Sequence, residues 1–225
     1  MDLDPAADSF GTAAYWIDQA SRFKQTAAGS GTGLEEEVAA CLLGGFGMPA
    51  EVGLAAYRAV RESGLLDSVQ PPSVDSIHSV LQRPIKIGRT TVHYRFPKQK
   101  SRYLAEGIRH LRANPPLGDG KILRDQLMRI RGIGFKTASW IVRNWSGSTE
   151  VAVIDIHIMR AGQAAGFFET EWRLPRDYLI FEEAFLRFAC SAGLSPIVLD
   201  QCIWSQMHEL QGLAPSIMRL VAARR

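Results

Sequence analysis

The chain has 225 residues, of which 46% are hydrophobic and 22% are charged. This balance is typical of folded proteins and excludes a chain dominated by disorder. The formal net charge is only +3, so binding to nucleic acid would depend on where the basic residues lie. No apolar run reaches the roughly 18 residues of a membrane span, and the acidic N-terminus does not look like a secretory signal. We therefore expect a cytoplasmic protein.

The predicted elements are almost all helices, because the apolar residues recur at helical spacing. Thr32 and Glu35 form a capping-box pattern before a first helix that ends at Gly44 and Gly45. Pro49 suits the first turn of the next helix. Further helices are predicted after residue 97 and at about 120–130, 135–145, 156–165, 178–191, 196–211 and 215–224. Residues 85–87 and 92–96 alternate as strands do, which favours a short hairpin.

The predicted fold class is all-α, with two helical subdomains. Stretches rich in Gly and Ser at 27–33 and 146–148 bracket a central block. We expect residues 30–148 to form one subdomain, and residues 1–29 together with 149–225 to form the second. The chain is expected to be a monomer.

The three cysteines are Cys41, Cys190 and Cys202. They form neither a CxxC pair nor a cluster with the spacing of metal ligands. We expect all three to be reduced core residues. The sequence predicts no structural zinc, no iron–sulfur cluster and no other metal or cofactor.

The most informative stretch is LMRIRGIGFKTASWIVRN at residues 127–144, which reads as helix, turn and helix. Gly132 and Gly134 permit positive φ angles and leave backbone N–H groups accessible, while Ile133 packs back between the helices. The next helix N-terminus adds N–H donors and a partial positive charge, so the corner suits a phosphate. Positive charge is supplied nearby by Arg129, Arg131, Lys136 and Arg143. The alternative is an ordinary turn between helices.

A second candidate is Asp155, which follows the apolar run Val151–Ile154. Its carboxylate is well placed to cap the helix that begins at Ile156. One interpretation makes Asp155 a local cap and Lys136 a solvated surface lysine. The other makes both of them parts of an active site.

GIGFKTA, with the aspartate of VAVIDIH nineteen residues after the lysine, resembles the helix-hairpin-helix–GPD superfamily of DNA glycosylases. The resemblance is to the 8-oxoguanine glycosylase/AP-lyase branches. It implies that Lys136 is the nucleophile, that Asp155 stabilises charge at the sugar and that His157 binds a DNA phosphate. It also implies that the helix-hairpin-helix, at about 122–145, lies at the cleft between the two subdomains.

Features of other branches of that superfamily that this sequence does not have indicate which branch it resembles. The C-terminal four-cysteine cluster usual in members that act on pyrimidine lesions has no counterpart here. Members acting on alkylated bases or mismatched adenine lack a lysine at the position of Lys136. The β-rich N-terminal domain of the eukaryotic 8-oxoguanine enzymes is also missing. The chain therefore resembles the compact prokaryotic and archaeal relatives.

The base pocket is predicted from helix faces. Trp140 lies one turn after Lys136 and is placed to wall the base site. Asp200 shares a face of its helix with Trp204 and with either Met207 or His208. The resemblance implies that Trp204 stacks on the damaged base and that Asp200 reads its edge. The alternatives are core packing for Trp204 and a surface position for Asp200.

Two further segments are predicted to contact DNA. The turn containing Gly44 and Phe46 would let the backbone approach a base closely, unless it only ends a helix. Basic residues alternate with aromatic ones over 94–103, where we expect Arg95 and Lys98 to contact phosphates. Lys100 and Arg102 belong to the same basic set, for which the alternative is a solvated face. The expected partner is duplex DNA containing a damaged or modified base, which would make the cytoplasmic protein nucleoid-associated.

Three functions remain open at this point. The first is a bifunctional 8-oxoguanine glycosylase/AP lyase that uses a lysine Schiff base. The second is the same scaffold and chemistry acting on another damaged or modified base. The third is a helix-hairpin-helix module that binds DNA without catalysis. The pairing of Lys136 with Asp155 argues against the third, because simple binding needs neither residue.

Overall fold

The computed structural model describes residues 9–24, 33–45 and 47–210. Within these ranges the chain forms ten helices and a single two-stranded sheet, which confirms the predicted helical fold class. The elements in chain order are α1 (Ala13–Arg22), α2 (Leu34–Leu43), α3 (Ala50–Glu62), α4 (Val74–Leu81), β1 (Ile85–Ile87), β2 (Thr90–Val92), α5 (Pro97–Ala113), α6 (Gly120–Leu127), α7 (Phe135–Ser146), α8 (Ile156–Ala165), α9 (Tyr178–Ser191) and α10 (Pro196–Leu210).

The chain divides into two compact units. One unit takes Ala28–Ser148, and the other combines Met1–Ala27 with Thr149–Arg225. The first unit therefore holds α2 to α7 with the small sheet, and the second holds α1 with α8, α9 and α10. No helix of the described ranges combines the length and apolar character needed to cross a membrane.

Helix α2 is the centre of the first unit, where it packs against α3, α5 and α7. Its residues Val38, Leu42 and Leu43 are fully buried. The approach of α3 to the end of α2 is close, since a Cβ added at Gly53 would stand 2.8 Å from the Cα of Gly44. Glycine at position 53 thus allows the two helices to meet at this point.

The predicted hairpin is present but shorter than expected. β1 pairs antiparallel with β2, with Ile85 opposite Val92 and Lys86 opposite Thr91. The second strand covers Thr90–Val92, so the prediction of a strand through residue 96 is wrong. The reason is that Tyr94 turns inward, where its hydroxyl donates to the carbonyl of Leu43 at 2.6 Å.

The second unit is built around aromatic rings. The ring of Phe168 packs on Phe181 at 4.9 Å between centroids, and Phe167 stacks on Phe188 at 4.1 Å. A side chain at Gly162 on α8 would collide with the rings of Phe167 and Phe168. Helix α10 packs against α1, α8 and α9 and completes the core of this unit.

Several local predictions need correction. Helices α1 and α4 were not predicted; α1 buries Trp16 and Ala20, and α4 buries Ile77 and Leu81. The cap of α2 is Gly33, while Thr32 lies outside the described residues, as does the predicted helix at 215–224.

The cysteines differ in their surroundings. None of the three forms a disulfide, and Cys41 and Cys202 are buried as expected. Cys190 is exposed near the end of α9, so its predicted core position is wrong. The helical period places it on the outer side of α9, away from buried Phe185 and Ala189.

Candidate active site

The helix-hairpin-helix consists of α6, a connection over residues 128–134 and α7. Gly132 has a φ of +91°, and a side chain there would collide with the ring of Tyr103. Gly134 is extended instead, with a φ of −104°, and caps α7. The expectation of positive φ at both glycines is therefore correct for Gly132 alone. Open space surrounds the position that a Cβ of Gly134 would take, so nothing obstructs the backbone there.

The turn is anchored from both sides. Ile133 is 6% exposed and so packs inward, as its position between the glycines predicted. On the other side lies Tyr103 of α5, whose ring is 5.6 Å from the guanidinium of Arg131. Gln99 donates to the Tyr103 hydroxyl at 3.0 Å. Tyr103 was not predicted as part of this site, because its contact with the turn is long-range in sequence.

The basic residues around the turn do not all face solvent. Arg129 and Arg131 are exposed, whereas Arg143 is only partly so. The guanidinium of Arg143 donates to the side-chain oxygen of Asn144 at 3.0 Å. Arg129 and Arg131 are therefore the exposed arginines beside the hairpin turn.

Lys136 is the second residue of α7 and is partly buried, as is Trp140 one turn later. Further along α7, Asn144 donates to Oε1 of the buried Glu37 on α2 at 2.8 Å. The Cys41 thiol donates to the same oxygen at 3.4 Å. Helix α2 therefore contributes a buried polar group to its contact with the lysine-bearing helix.

The charge of Lys136 affects the pKa of Cys41, which lies in the contact between α2 and α7. Burial raises the pKa of the Cys41 thiol, and the Glu37 carboxylate raises it further. The positive charges of Arg143 and Lys136 act in the opposite direction on the same pKa. The charge of Lys136 thus acts on a buried group of α2. Because Lys136 is partly buried, it is not a fully solvated surface lysine.

The turn after α2 lies beside Trp140. Gly44 is buried, and a Cβ at this position would be 3.7 Å from Cη2 of Trp140. The structure thus brings together two of the predicted pocket residues. Gly44 also ends α2 as its C-cap, which is the structural role considered for it. Phe46, the third predicted residue of this region, lies outside the described residues.

Lys100 has a different role from the predicted phosphate contact. Its ammonium donates to the carbonyl of Leu42 at 2.5 Å and lies 3.4 Å from that of Gly44. These are carbonyls at the end of α2 that lack a helical partner, and burial lowers the pKa of Lys100. Arg95 and Lys98 are exposed, and a guanidinium nitrogen of Arg95 is 3.5 Å from the carbonyl of Gly47.

Asp155 is the N-cap of α8. Its Oδ1 accepts hydrogen bonds from the backbone N–H groups of His157 at 2.8 Å and Ile158 at 3.0 Å. The residue is 8% exposed. The capping role is thus present, and the carboxylate is held in a fixed orientation by the helix it begins.

Side chains of α9 hold the extended segment before Asp155. This contact was not predicted from the sequence. The Tyr178 hydroxyl donates to the carbonyl of Ala152 at 2.7 Å and accepts from the N–H of Ile154 at 3.2 Å. Glu182 accepts from the N–H of Ala152 at 3.1 Å. These side chains replace the neighbouring strand that an extended backbone normally requires. The contact joins residues that are more than twenty positions apart in the sequence, so no local sequence pattern predicts it.

The predicted face of α10 is present with two corrections. Trp204 is 38% exposed, so its assignment to the core is wrong, and its ring stacks on His208 at 4.7 Å. His208 in turn contacts His157 edge to face, with 6.4 Å between the centroids. Asp200 is 3% exposed, so its alternative as a surface carboxylate is wrong. Met207 is buried in the core, which leaves His208 as the partner of Trp204.

The helical fold and the glycine turn between α6 and α7 define a helix-hairpin-helix protein. Residues 18–194 match the family described as 8-oxoguanine DNA glycosylase. The chain belongs to this family. The predicted superfamily is thereby confirmed, and so is the predicted enzyme class of DNA glycosylase/AP lyase.

Two archaeal relatives are each named 8-oxoguanine DNA glycosylase/AP lyase. The protein of Metallosphaera sedula is 29% identical over 157 residues, which are 67% of this chain and 72% of the relative. The protein of Thermoplasma volcanium is 32% identical over 116 residues, which are 49% of this chain and 55% of the relative.

Solved structures share the fold. The 8-oxoguanine glycosylase/lyase of Methanocaldococcus jannaschii, in complex with a 15mer DNA containing 8-oxoguanine, has a TM-score of 0.61 and 23% identity. The similarity covers 88% of this chain and 89% of that one. The 8-oxoguanine DNA glycosylase of Thermotoga maritima has a TM-score of 0.58 and 23% identity, covering 86% of this chain and 88% of that one.

Proposed function

We propose that this enzyme excises 8-oxoguanine from duplex DNA and then cleaves the strand at the resulting abasic site through a lysine Schiff base. The observation that carries the proposal is the position of Lys136. It is the second residue of the helix that follows the Gly132–Gly134 turn, in a chain that belongs to the 8-oxoguanine DNA glycosylase family. Two archaeal relatives carry both activities in their names.

The proposed reaction begins with the damaged nucleotide flipped out of the stack, at a cost of a few kcal/mol. The neutral amine of Lys136 attacks C1′ of the sugar, and the bond from C1′ to the base breaks with its electron pair leaving on the base. After ring opening and loss of the amine proton, C1′ and Nζ are joined as a protonated Schiff base. Removal of a C2′ proton then expels the 3′ phosphate by β-elimination.

Asp155 is proposed to stabilise the positive charge that develops at the sugar. Support comes from its fixed carboxylate, since Oδ1 accepts two backbone hydrogen bonds from the first turn of α8. The segment behind it is held by Tyr178 and Glu182. A charge held by such contacts does not have to reorient during the reaction.

The base pocket is proposed to include Trp140 beside Gly44, together with Asp200 and Trp204. Trp204 has the exposed ring face that stacking on a base requires, and its other face lies against His208. A buried Asp200 suits recognition of a base edge, because a desolvated carboxylate discriminates strongly between donor and acceptor groups.

The proposed contacts with DNA phosphates come from three places. The first is the hairpin corner, with Arg131, Gly132, Ile133 and Gly134, where the backbone is accessible and one guanidinium is exposed. The second is His157 at the start of α8, and the third is Arg95 and Lys98, before and within α5. All of these contacts act on the sugar–phosphate backbone, so they position the duplex without reading its sequence.

The proposed chemistry is tested by trapping with borohydride, which reduces a Schiff base to a stable adduct. Wild-type enzyme incubated with a duplex containing 8-oxoguanine should become covalently joined to the DNA. The Lys136→Gln variant should bind the same duplex and give no adduct and no nicking. Lys121→Gln is the matched control, because Lys121 is an exposed lysine on α6. An adduct at the wild-type level with Lys136→Gln would show that another amine is the nucleophile.

The choice of base is tested separately. A panel of duplexes, each containing one modified base, is assayed for base release and strand cleavage. The proposal expects 8-oxoguanine to be the preferred substrate. If another base is released faster, the same scaffold and chemistry serve a different lesion. Binding without release of any base would instead favour the non-catalytic module.

A further inference from the structure

The β1–β2 hairpin has no part in the function proposed above, yet it lies in an unusually basic part of the chain. Between Ser76 and Ala105 there is no Asp or Glu, while the segment contains seven Lys and Arg residues. These are Arg83, Lys86, Arg89, Arg95, Lys98, Lys100 and Arg102. Lys100 is used to cap α2, and Arg95 and Lys98 are already proposed to contact phosphates. Four basic side chains are left to account for: Arg83, Lys86, Arg89 and Arg102.

The hairpin has an apolar inner face and a polar outer face. Ile85 is buried, and β1 packs against α3. Lys86 and its cross-strand partner Thr91 are exposed on the opposite face. Arg89 is exposed at the turn, directly after Gly88, whose φ of +58° makes the turn possible. In the described part of the chain, neither Lys86 nor Arg89 takes part in a salt bridge with a carboxylate.

The basic segment runs along the chain from the hairpin into α5, and α5 contacts the helix-hairpin-helix corner through Tyr103. Arg95, Lys98 and Arg102 are exposed along the chain that follows β2. Tyr103, the next residue of α5, contacts Gly132 and Arg131 at the corner itself. A three-residue strand spans about 10 Å, the connection through residues 93–96 spans at most about 17 Å, and the α5 residues from 97 to 103 span about 9 Å. The hairpin therefore lies at most about 35 Å from the corner within the same unit.

We propose that the outer face of the β1–β2 hairpin binds the phosphate backbone of duplex DNA beside the damaged site, through Lys86 and Arg89. A strip of unpaired positive charges needs a polyanion, and duplex DNA carries one negative charge per about 1.7 Å of its axis. A reach of at most about 35 Å corresponds to about ten base-pair steps of duplex. The proposal rests on the proposed function only in taking duplex DNA as the partner.

The test is the salt dependence of binding to a lesion-free duplex of about two helical turns, roughly 20 base pairs. Each lost phosphate contact removes about 0.9 from the slope of log Kd against log salt. The Lys86→Gln/Arg89→Gln variant should therefore lose about two from the slope. At about 0.1 M salt, its Kd should rise by roughly one to two decades. Its melting temperature should match the wild type, since both side chains are exposed.

Two control variants test whether the positive charges at positions 86 and 89 matter specifically, or whether any loss of positive charge has the same effect. The Lys86→Arg/Arg89→Lys variant keeps the charges and should keep the wild-type slope. The Arg58→Gln/Lys121→Gln variant removes two exposed charges from α3 and α6 and should leave the slope within about 0.5 of the wild type, well short of the loss from two contacts. A wild-type slope in Lys86→Gln/Arg89→Gln would overturn the proposal. So would an equal loss in the control that removes charges from α3 and α6.

Measuring base release as well as binding allows this proposal and the proposed function to fail independently. At saturating protein, the single-turnover rate of base release should be unchanged in Lys86→Gln/Arg89→Gln, because the hairpin contributes affinity and no chemistry. A wild-type enzyme that releases no base but shows the hairpin-dependent slope would refute the proposed function alone. An active enzyme whose slope does not depend on the hairpin would refute the hairpin proposal alone.

Discussion

Tyr178 and Glu182 lie one helical turn apart on α9 and bind the same extended segment of backbone, at Ala152 and Ile154. All four residues are buried. The segment ends at Asp155, whose carboxylate is fixed at its other end by the first turn of α8. The orientation of Asp155 therefore depends on two side chains more than twenty residues further along the chain.

Tyr178→Phe should destabilise the protein by about 1–3 kcal/mol, because it leaves a buried carbonyl and a buried N–H without their partner. If the contact also orients Asp155, single-turnover base release should fall while affinity for the duplex is retained. Chemical denaturation and single-turnover kinetics measure the two effects. Unchanged kinetics in the folded fraction would limit the role of Tyr178 to stability.

Glu182 offers a test of the same contact with a conservative replacement. Glu182→Gln keeps an oxygen that can accept from Ala152 and should retain most of the rate of base release, whereas Glu182→Ala should not. Glu183→Gln, which changes a neighbouring exposed carboxylate, is the control. Equal losses in Glu182→Gln and Glu182→Ala would mean that charge matters at this position more than the hydrogen bond.

Asp155→Asn separates the capping role of Asp155 from its proposed catalytic role. Asparagine caps helices about as well as aspartate, so the free energy of unfolding should change by less than about 1 kcal/mol. The negative charge is lost, so we expect the rate of base release to fall by about two orders of magnitude or more, as when one electrostatic group is removed from other enzyme sites. Wild-type turnover by a stable Asp155→Asn protein would leave the residue with its structural role only.

Trp204→Ala should cost less than the roughly 3–5 kcal/mol lost when a fully buried Trp is removed, because 38% of the residue is exposed. We expect weaker binding of lesion-containing duplex and unaltered binding of undamaged duplex. Stacking of one base on an aromatic ring is worth about 1–3 kcal/mol. Competition binding with the two duplexes measures the difference, and equal losses for both would place Trp204 outside the base pocket.

Asp177 should make the stability of the fold depend on pH in acid. The hydrogen bond from Arg176 and that from the backbone of Arg173 lower the pKa of Asp177 to about 2. Because the folded-state pKa lies below that of the unfolded chain, about 3.9, the stabilisation is complete above about pH 5. It is lost as the pH falls towards 2. In Asp177→Asn, the free energy of unfolding, measured by urea denaturation at a series of pH values, should depend less on pH over this window. A pH dependence identical to that of the wild type would contradict the assignment.

The sequence by itself determined what depends on near neighbours. Helix spacing, the glycine turn at 132–134, Lys136 at the start of a helix and Asp155 as a cap are all local patterns, since they arise within one or two turns of chain. The same local motif was specific enough to indicate the family, which the match over residues 18–194 then established.

Only the tertiary structure decided the contacts between distant residues. Lys100 and Tyr94 share a basic, aromatic segment with Arg95 and Lys98, yet their side chains turn inward to cap α2. The roles of Tyr103 beside Gly132, and of Tyr178 beside Ala152, likewise follow from packing. The physical reason is that a buried backbone group must find a partner wherever the fold supplies one, and the chain order does not encode which side chain will be near.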